Sequence, residues 1–559
     1  MAEPDSTTLD PNALGPIQVE IIRNALVAAA EEMSVTVWRT SRSAVVREIL
    51  DYSCCVFDAQ GRSTAQAAAM PVHLNSMPAC LEEILASHIP LEDWHEGDIV
   101  ITNDPYAGGQ HLPDIQTFKP VFLDGRLIAI AGILVHHLDV GGGAAGSYHA
   151  GATEIYQEGF RIPPLKLAEG GRRNEAVIKL LLRNTREPAN VGGDFASQLA
   201  ALDTGVANLQ RIGRRYGPDT LAAACERIQA QSEAAMRAAI ARIPDGTYSF
   251  EDFVDDDGIE RDRPLRIRVA LTVAGDAVTI DLAGSAGQAV GPVNCTLNMT
   301  RSAVVCGVMM ALGSEVPANA GCYRPVSVQA PEGLVVNARS PAPVANRMAT
   351  GHRIVTTVLG AFAAAMPGQV PAAYYGVSYA YALNCFLEDG RRQVYFDLEC
   401  GGWGAHPQED GASGFSCGFH NIANAPVEML ENTLPLTFVE YALVPDSGGR
   451  GRTRGGLGLA RAFRLDAPAG RFAANLERFK FAPYGLDGGE AGRPGRLTIR
   501  RAGAAAVEDL PSKVADLTVA RGDVLRLQTA GGGGYGDPAE RPRSAVERDL
   551  AEGYVTAGR

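Results

Sequence analysis

Apolar positions recur at alternating spacings of three and four along PIQVEIIRNALVAAAEEMSVTVWRTSRS, with Val19, Ile22, Leu26, Ala29 and Met33 on one side. That period predicts an amphipathic helix. The pattern then changes. LDYSCCVFDAQGRSTAQ and DIVITNDP are rich in β-formers, with residues 58–61 as turn material. IQTFKPVFLDGRLIAIAGILVHHLDVGG reads as a hairpin, because Asp124-Gly125 falls between two β-rich runs. Residues 172–243 carry steady Ala, Leu, Arg and Glu with few glycines and predict helix. PDGTYSFEDFVDDDG reopens a β-rich region through about residue 291, and helical character returns at 301–313 and 350–366. From about residue 375 strands and glycine turns dominate, while residues 1–12 read as a frayed tail. There is no short-period repeat. The expected fold is mixed α/β (α+β): a large multi-lobed single chain with antiparallel-rich β-sheets and helical insertions. The expected divisions are a β-rich lobe at 14–171, a helical segment at 172–243, an α+β middle lobe at 244–374 and a glycine-rich β-rich lobe at 375–553.

Length supports several lobes, since 559 residues exceed one ordinary core. Charge removes some functions. A net charge of -14 and a pI near 5.3 argue against nucleic acid as a partner. No apolar run is long enough to span a bilayer. MAEPDSTTLD has neither a basic start nor an apolar signal core, so a cytoplasmic location is expected. None of the ten cysteines forms a C-x-x-C pair, and several sit in apolar stretches. Buried reduced thiols are expected ahead of disulfides or a thiolate zinc site. The 62 glycines cluster at GGGAAG, GGWG, GGRGRTRGGLG and GGGGYGD, which suits tight turns and close backbone approach.

The strongest chemical signal is TNDPYAGGQHLPDIQ followed by LVHHLDVGG. It gathers His111, Asp114, His136, His137 and Asp139 within thirty residues. Imidazole and carboxylate are the donors a divalent Zn, Mn or Fe ion takes. His111 and Asp114 share a turn framed by glycines and Pro113, so both can reach one ion. Neighbours on a strand point to opposite faces, so His136 and His137 are not both expected at the same ion. One can ligate while the other packs or orients a ligand. By themselves, Asp51 reads as a turn or capping aspartate and His73, in MPVHLNSM, as a satisfied core histidine. GGGGYGDP lacks the Lys-Ser/Thr of a phosphate loop. No G-x-G-x-x-G lies between a strand and a helix, and there is no G-x-S-x-G elbow.

Taken in order, LDYSCCVFDAQGR, MPVHLNSM, TNDPYAGGQHLPD, HHLDVGG, EGFRIPP, LRNTREPANVGGDFASQLAA, PDGTYSFEDFVDDDG, GPVNCTLNMTRSAV, GCYRPVSVQAPEG, ECGGWGAHPQEDGASG, YALVPDSGGRGRTRGGLG and TAGGGGYGDP resemble the hydantoinase B/oxoprolinase family from about residue 14 to 553. The resemblance implies a divalent metal (Zn, Mn or Fe) held by Asp51, His111, Asp114 and His136, the last being the first His of the pair. His137, Asp139 and His73 would orient ligands or relay protons. It implies a cyclic-amide hydrolase that is ATP-dependent through a partner, a hydantoinase A-type ATPase, in a hetero-oligomer. The partner would phosphorylate the amide oxygen, and this chain would hydrolyse the activated intermediate. Alternatives within the resemblance are a subunit of an ATP-dependent ketone carboxylase (acetone or acetophenone) and a non-catalytic assembly subunit. The chain departs from the family pattern at REILD, YHAGATE and LERFKFAPYGL, which leave the ligand positions intact and bear on substrate choice.

Overall fold

The computed structural model of the chain describes residues 14–313 and 316–557. The segment read as a frayed tail lies outside them. The first helix spans Pro16–Thr40 and buries Val19, Ile22, Leu26, Ala29 and Met33, the side that the period marks.

Seven strands form the first sheet. Across it, the order is Ser63–Gln66, Tyr52–Asp58, Arg126–His136, Asp114–Leu123, Ile99–Thr102, Leu165–Glu169 and Arg172–Arg173. Every neighbouring pair is antiparallel. The hairpin turns at residues 124–125 as expected, with Asp124 and Gly125 both at positive φ. Alternation along Arg126–His136 decides what each face meets. Ala131, Ile133 and Val135 join Val19, Leu26, Leu199 and Leu202 under the helices Pro16–Thr40 and Pro188–Tyr216. Ile130 and Leu134 join Phe57, Phe118, Met77 and Leu81 under the helix Pro71–Ser87. Both faces are covered, which is why the strand reads as an almost unbroken apolar run. The β-rich reading of this region holds for the strands but misses the helix Pro71–Ser87, which carries Pro71 in its first turn and Pro78 inside.

Residues 172–243 open on the two-residue strand and continue as the helices Glu175–Arg183, Pro188–Tyr216 and Pro218–Ile240. A second sheet of four strands follows: Gly246–Val254, Leu265–Ala274, Ala277–Asp281 and Val326–Gln329. Its last pair is parallel, a departure from the antiparallel majority. The helices Leu297–Leu312 and Arg347–Ala365 pack together, and the latter lies against this sheet. Each begins three or four residues before the stretch read as helical. Beyond residue 375 come a four-stranded and a five-stranded sheet, with two short helices, Val427–Thr433 and Arg543–Ala551, not expected there. No helix among the described residues is long and apolar enough to cross a membrane.

The glycine clusters of this C-terminal region are layered backbone. A methyl group on Gly404 would sit 1.8 Å from the Ala372 carbonyl oxygen, and one on Gly532 the same distance from that of Trp403. Gly532 N–H donates to Gly456 O, and Gly533 N–H to Ala373 O. Chains this close leave no room for side chains.

Candidate metal centre

Three adjacent strands of the first sheet end at one edge, and the register there decides which side chains meet. Asp114 opens its strand directly across from His136, which closes the neighbouring one. On the other side of that strand Tyr52 pairs with Val135, and the His136 N–H donates to the Asp51 carbonyl at 3.0 Å. Residues 51, 114 and 136 share the parity of Phe57, Phe118 and Leu134, so their side chains point toward the helix Pro71–Ser87. That helix carries His73 in its first turn. His111 reaches the same place from the turn ahead of the strand, where Asp114 N–H donates to His111 O at 3.0 Å.

His111, Asp114 and His136 each offer one donor atom to a group whose members lie within 4.8 Å of one another. His111 Nε2 is 3.3 Å from Asp114 Oδ1. Asp51, expected as a fourth ligand, is not one of this group; it lies next to it, linked through His73, whose Nε2 is 3.5 Å from Asp51 Oδ1 and 3.8 Å from Asp114 Oδ1. The other ring nitrogen of His73 meets Ser53 Oγ at 3.2 Å. Arg347, first residue of the helix Arg347–Ala365, donates to Asp114 Oδ2 at 2.7 Å and to Gln110 Oε1 at 3.1 Å. Phe396 stacks on His136 at 5.4 Å, and Tyr148 meets His111 edge-on at 5.2 Å. None of Arg347, Tyr148, Phe396 or Gln110 stands out in the sequence as a site residue. They come from separate segments and carry no local spacing signal.

All of these donors are at most 4% exposed, and burial governs their proton affinities. Burial, then the neighbouring Asp114 charge, pushes the Asp51 carboxyl well up. Burial also raises Asp114, but His111 and Arg347 outweigh it and hold that carboxyl far below its usual range. Desolvation lowers His73 and His111 to about 4, and holds His136 well below its ordinary value. Three imidazoles are thus neutral near pH 7 and free to donate lone pairs. Asp51 Oδ1, Asp114 Oδ1 and both ring nitrogens of His111 and of His136 have no hydrogen-bond partner.

His137 and Asp139 find other company. The His137 ring lies against Phe195 and meets Gln198 Oε1 at 3.3 Å, on the face covered by the helix Pro188–Tyr216. Asp139 accepts from the N–H groups of Gly141, Gly146 and Arg186 and pairs with the Arg186 guanidinium at 2.8 Å. It fastens the glycine loop that carries Tyr148. Of the three residues expected to support the ligands, the fold therefore brings His73 to the group and turns His137 and Asp139 elsewhere. The cysteines are reduced, nine buried and Cys400 half-buried.

The Hydantoinase B/oxoprolinase family model matches residues 15–538. The B-type chain of a putative D-/L-hydantoinase from a Pseudomonas species is 32% identical over 98% of this chain and 94% of its own length. Among solved structures, the ATP-dependent caprolactamase from Pseudomonas jessenii superposes with a TM-score of 0.91 at 30% identity, covering 98% of this chain and 95% of that one. An acetone carboxylase shares the fold, with a TM-score of 0.88 at 19% identity over 99% of this chain and 79% of the other.

Proposed function

We propose, from the premise that this chain belongs to the hydantoinase B/oxoprolinase family, that it is the ring-opening subunit of an ATP-dependent cyclic-amide hydrolase. One observation carries the reading: buried donor atoms without partners gather on Asp51, His111, Asp114 and His136. Each bare polar atom costs roughly 1–3 kcal/mol. A set of them in one place is held for a ligand, and two imidazoles with two carboxylates suit a divalent Zn, Mn or Fe ion. Bound there, such an ion supplies Lewis acidity, making water nucleophilic near neutral pH and easing charge onto an activated carbonyl.

Amides are poor electrophiles because of resonance. A partner ATPase of the hydantoinase A type would phosphorylate the amide oxygen and pass the activated ring to this chain. Arg347 anchors Asp114 through one nitrogen, while its Nε and Nη1 have no partner and are suited to a phosphate oxygen. His73 stands between the two carboxylates, braced by Ser53, and is the group nearest to hand for a proton. Asp139 and His137 act as positioning residues, the first on the glycine loop and the second under the strand end. Tyr148 and Phe396 pack against the imidazoles, and their burial keeps bulk water off the donors.

The test is His111→Ala in the complex reconstituted with the partner. ATP hydrolysis should persist, bound metal should be lost and ring opening should fall by more than about 100-fold, since even residues that only orient metal ligands cost 10–100-fold. Full ring opening in that variant refutes the division of labour. The acetone carboxylase likeness supports a second reading, a component of a ketone carboxylase, which bicarbonate-dependent turnover of a ketone would select.

A further inference from the structure

A second group of metal-type donors lies outside this centre. His352 sits on the helix Arg347–Ala365, which also carries Arg347. Cys417 and His420 come from the loop CGFH, where His420 N–H donates to Cys417 O at 2.8 Å. That tight turn sets both side chains toward the helix. One donor atom from each of the three lies within 4.8 Å of the others. Cys417 Sγ is 3.6 Å from His352 Nδ1, and the two imidazole rings meet edge to face at 4.6 Å. All three are buried.

From this arrangement we infer a second, thiolate-containing metal site, His352/Cys417/His420, that takes Zn(II). Each imidazole has one nitrogen held: His352 Nδ1 by the Tyr374 hydroxyl at 3.0 Å, on the side that also faces Cys417 Sγ, and His420 Nε2 by Ser378 at 2.8 Å. The opposite nitrogens, His352 Nε2 and His420 Nδ1, have no partner. An imidazole fixed on one side and bare on the other is how proteins orient metal-ligating histidines. Two imidazoles and a thiolate favour zinc over the hard cations that take all-oxygen shells, and they leave one tetrahedral position open. Binding releases the Cys417 proton to solvent as the sulfur takes the ion. A route in exists. Cys306 Sγ meets Gly418 O at 3.3 Å, and both line a cavity of about 500 Å³ with Met309, Met310 and Trp403.

A search for paired cysteines passes over this set, because its donors are a Cys-x-x-His and a histidine 65 residues before that cysteine. The site would pin the loop to the helix whose first residue is Arg347. It stands independently of the ring-opening reading.

Cobalt uptake by the full-length chain decides it, because the first centre contains no sulfur. Co(II)-loaded protein should show a near-ultraviolet thiolate-to-cobalt charge-transfer band. His111→Ala should keep that band while losing the first ion. Cys417→Ser should lose the band and one equivalent of metal while keeping the first ion. Absence of the band from the wild-type protein overturns the site whatever the variants do, and so does a band unchanged by Cys417→Ser.

Discussion

Asp114 is the residue on which the centre's electrostatics turn. Its carboxylate is fully buried, and the full positive charge that touches it is Arg347, at 2.7 Å. Removing one partner of such a buried pair strands the other at a cost of about 3–5 kcal/mol. Arg347→Met should therefore destabilise the metal-free chain by that order. An ion bound at Asp114 replaces the missing charge, so added Zn or Mn should restore much of the melting temperature. Thermal denaturation with and without metal reads this directly, and an equal loss in both conditions would remove the ion from the account. The histidine pair teaches a related lesson. Strand alternation alone separates His136 from His137, and each meets the face that its parity dictates. Which of the two faces the metal group was not legible from spacing; the family resemblance pointed to His136, and the fold sets that ring beside His111 and Asp114.

At the scale of elements, legibility followed periodicity. The helix Pro16–Thr40 and the hairpin at 124–125 were readable because one period runs cleanly through each. The helix Pro71–Ser87 was not, because Pro71 and Pro78 read as breaks in any helical period through it. The glycine clusters announced close approach, but their partners were hidden, since backbone meeting backbone leaves no side-chain pattern. Gly404→Ala tests how tight those layers are. Its methyl would fall 1.8 Å from a carbonyl oxygen that is itself fixed in the layer. We expect a loss of about 3 kcal/mol or more, the upper end of overpacking costs, in chemical denaturation. A variant as stable as the parent would mean that the layers give way easily.

For the whole molecule, the centre is assembled across distant parts of the chain, and the joint is held by one acid. The segment leading to Arg347 docks on the first sheet's loops: Tyr106 donates to Ala342 O at 2.7 Å, and Ile155 N–H to Pro341 O at 2.9 Å. Between them Glu158, within EGFRIPP, accepts the N–H groups of Val344 and Ala345 at 2.7 Å each. A motif scan marks Glu158 as part of a signature without revealing that it is a clamp, because its partners are backbone groups some 186 residues away. Burial raises this carboxyl from its ordinary 4.5 to about 8. The folded chain thus holds a proton that the unfolded chain gives up near 4.5. Its contribution to stability is complete below that value, fades as pH rises, and is gone above about 8. Glu158→Gln keeps an oxygen for both N–H groups and has no proton to lose. Between pH 5 and 8 its stability should fall less steeply than the parent's, and by pH 8 it should be the more stable of the two by an amount on the order of a few kcal/mol. Denaturant midpoints measured across that range check the sign; parallel curves would show that Glu158 is ionised throughout and that the clamp is an anion held by two amides.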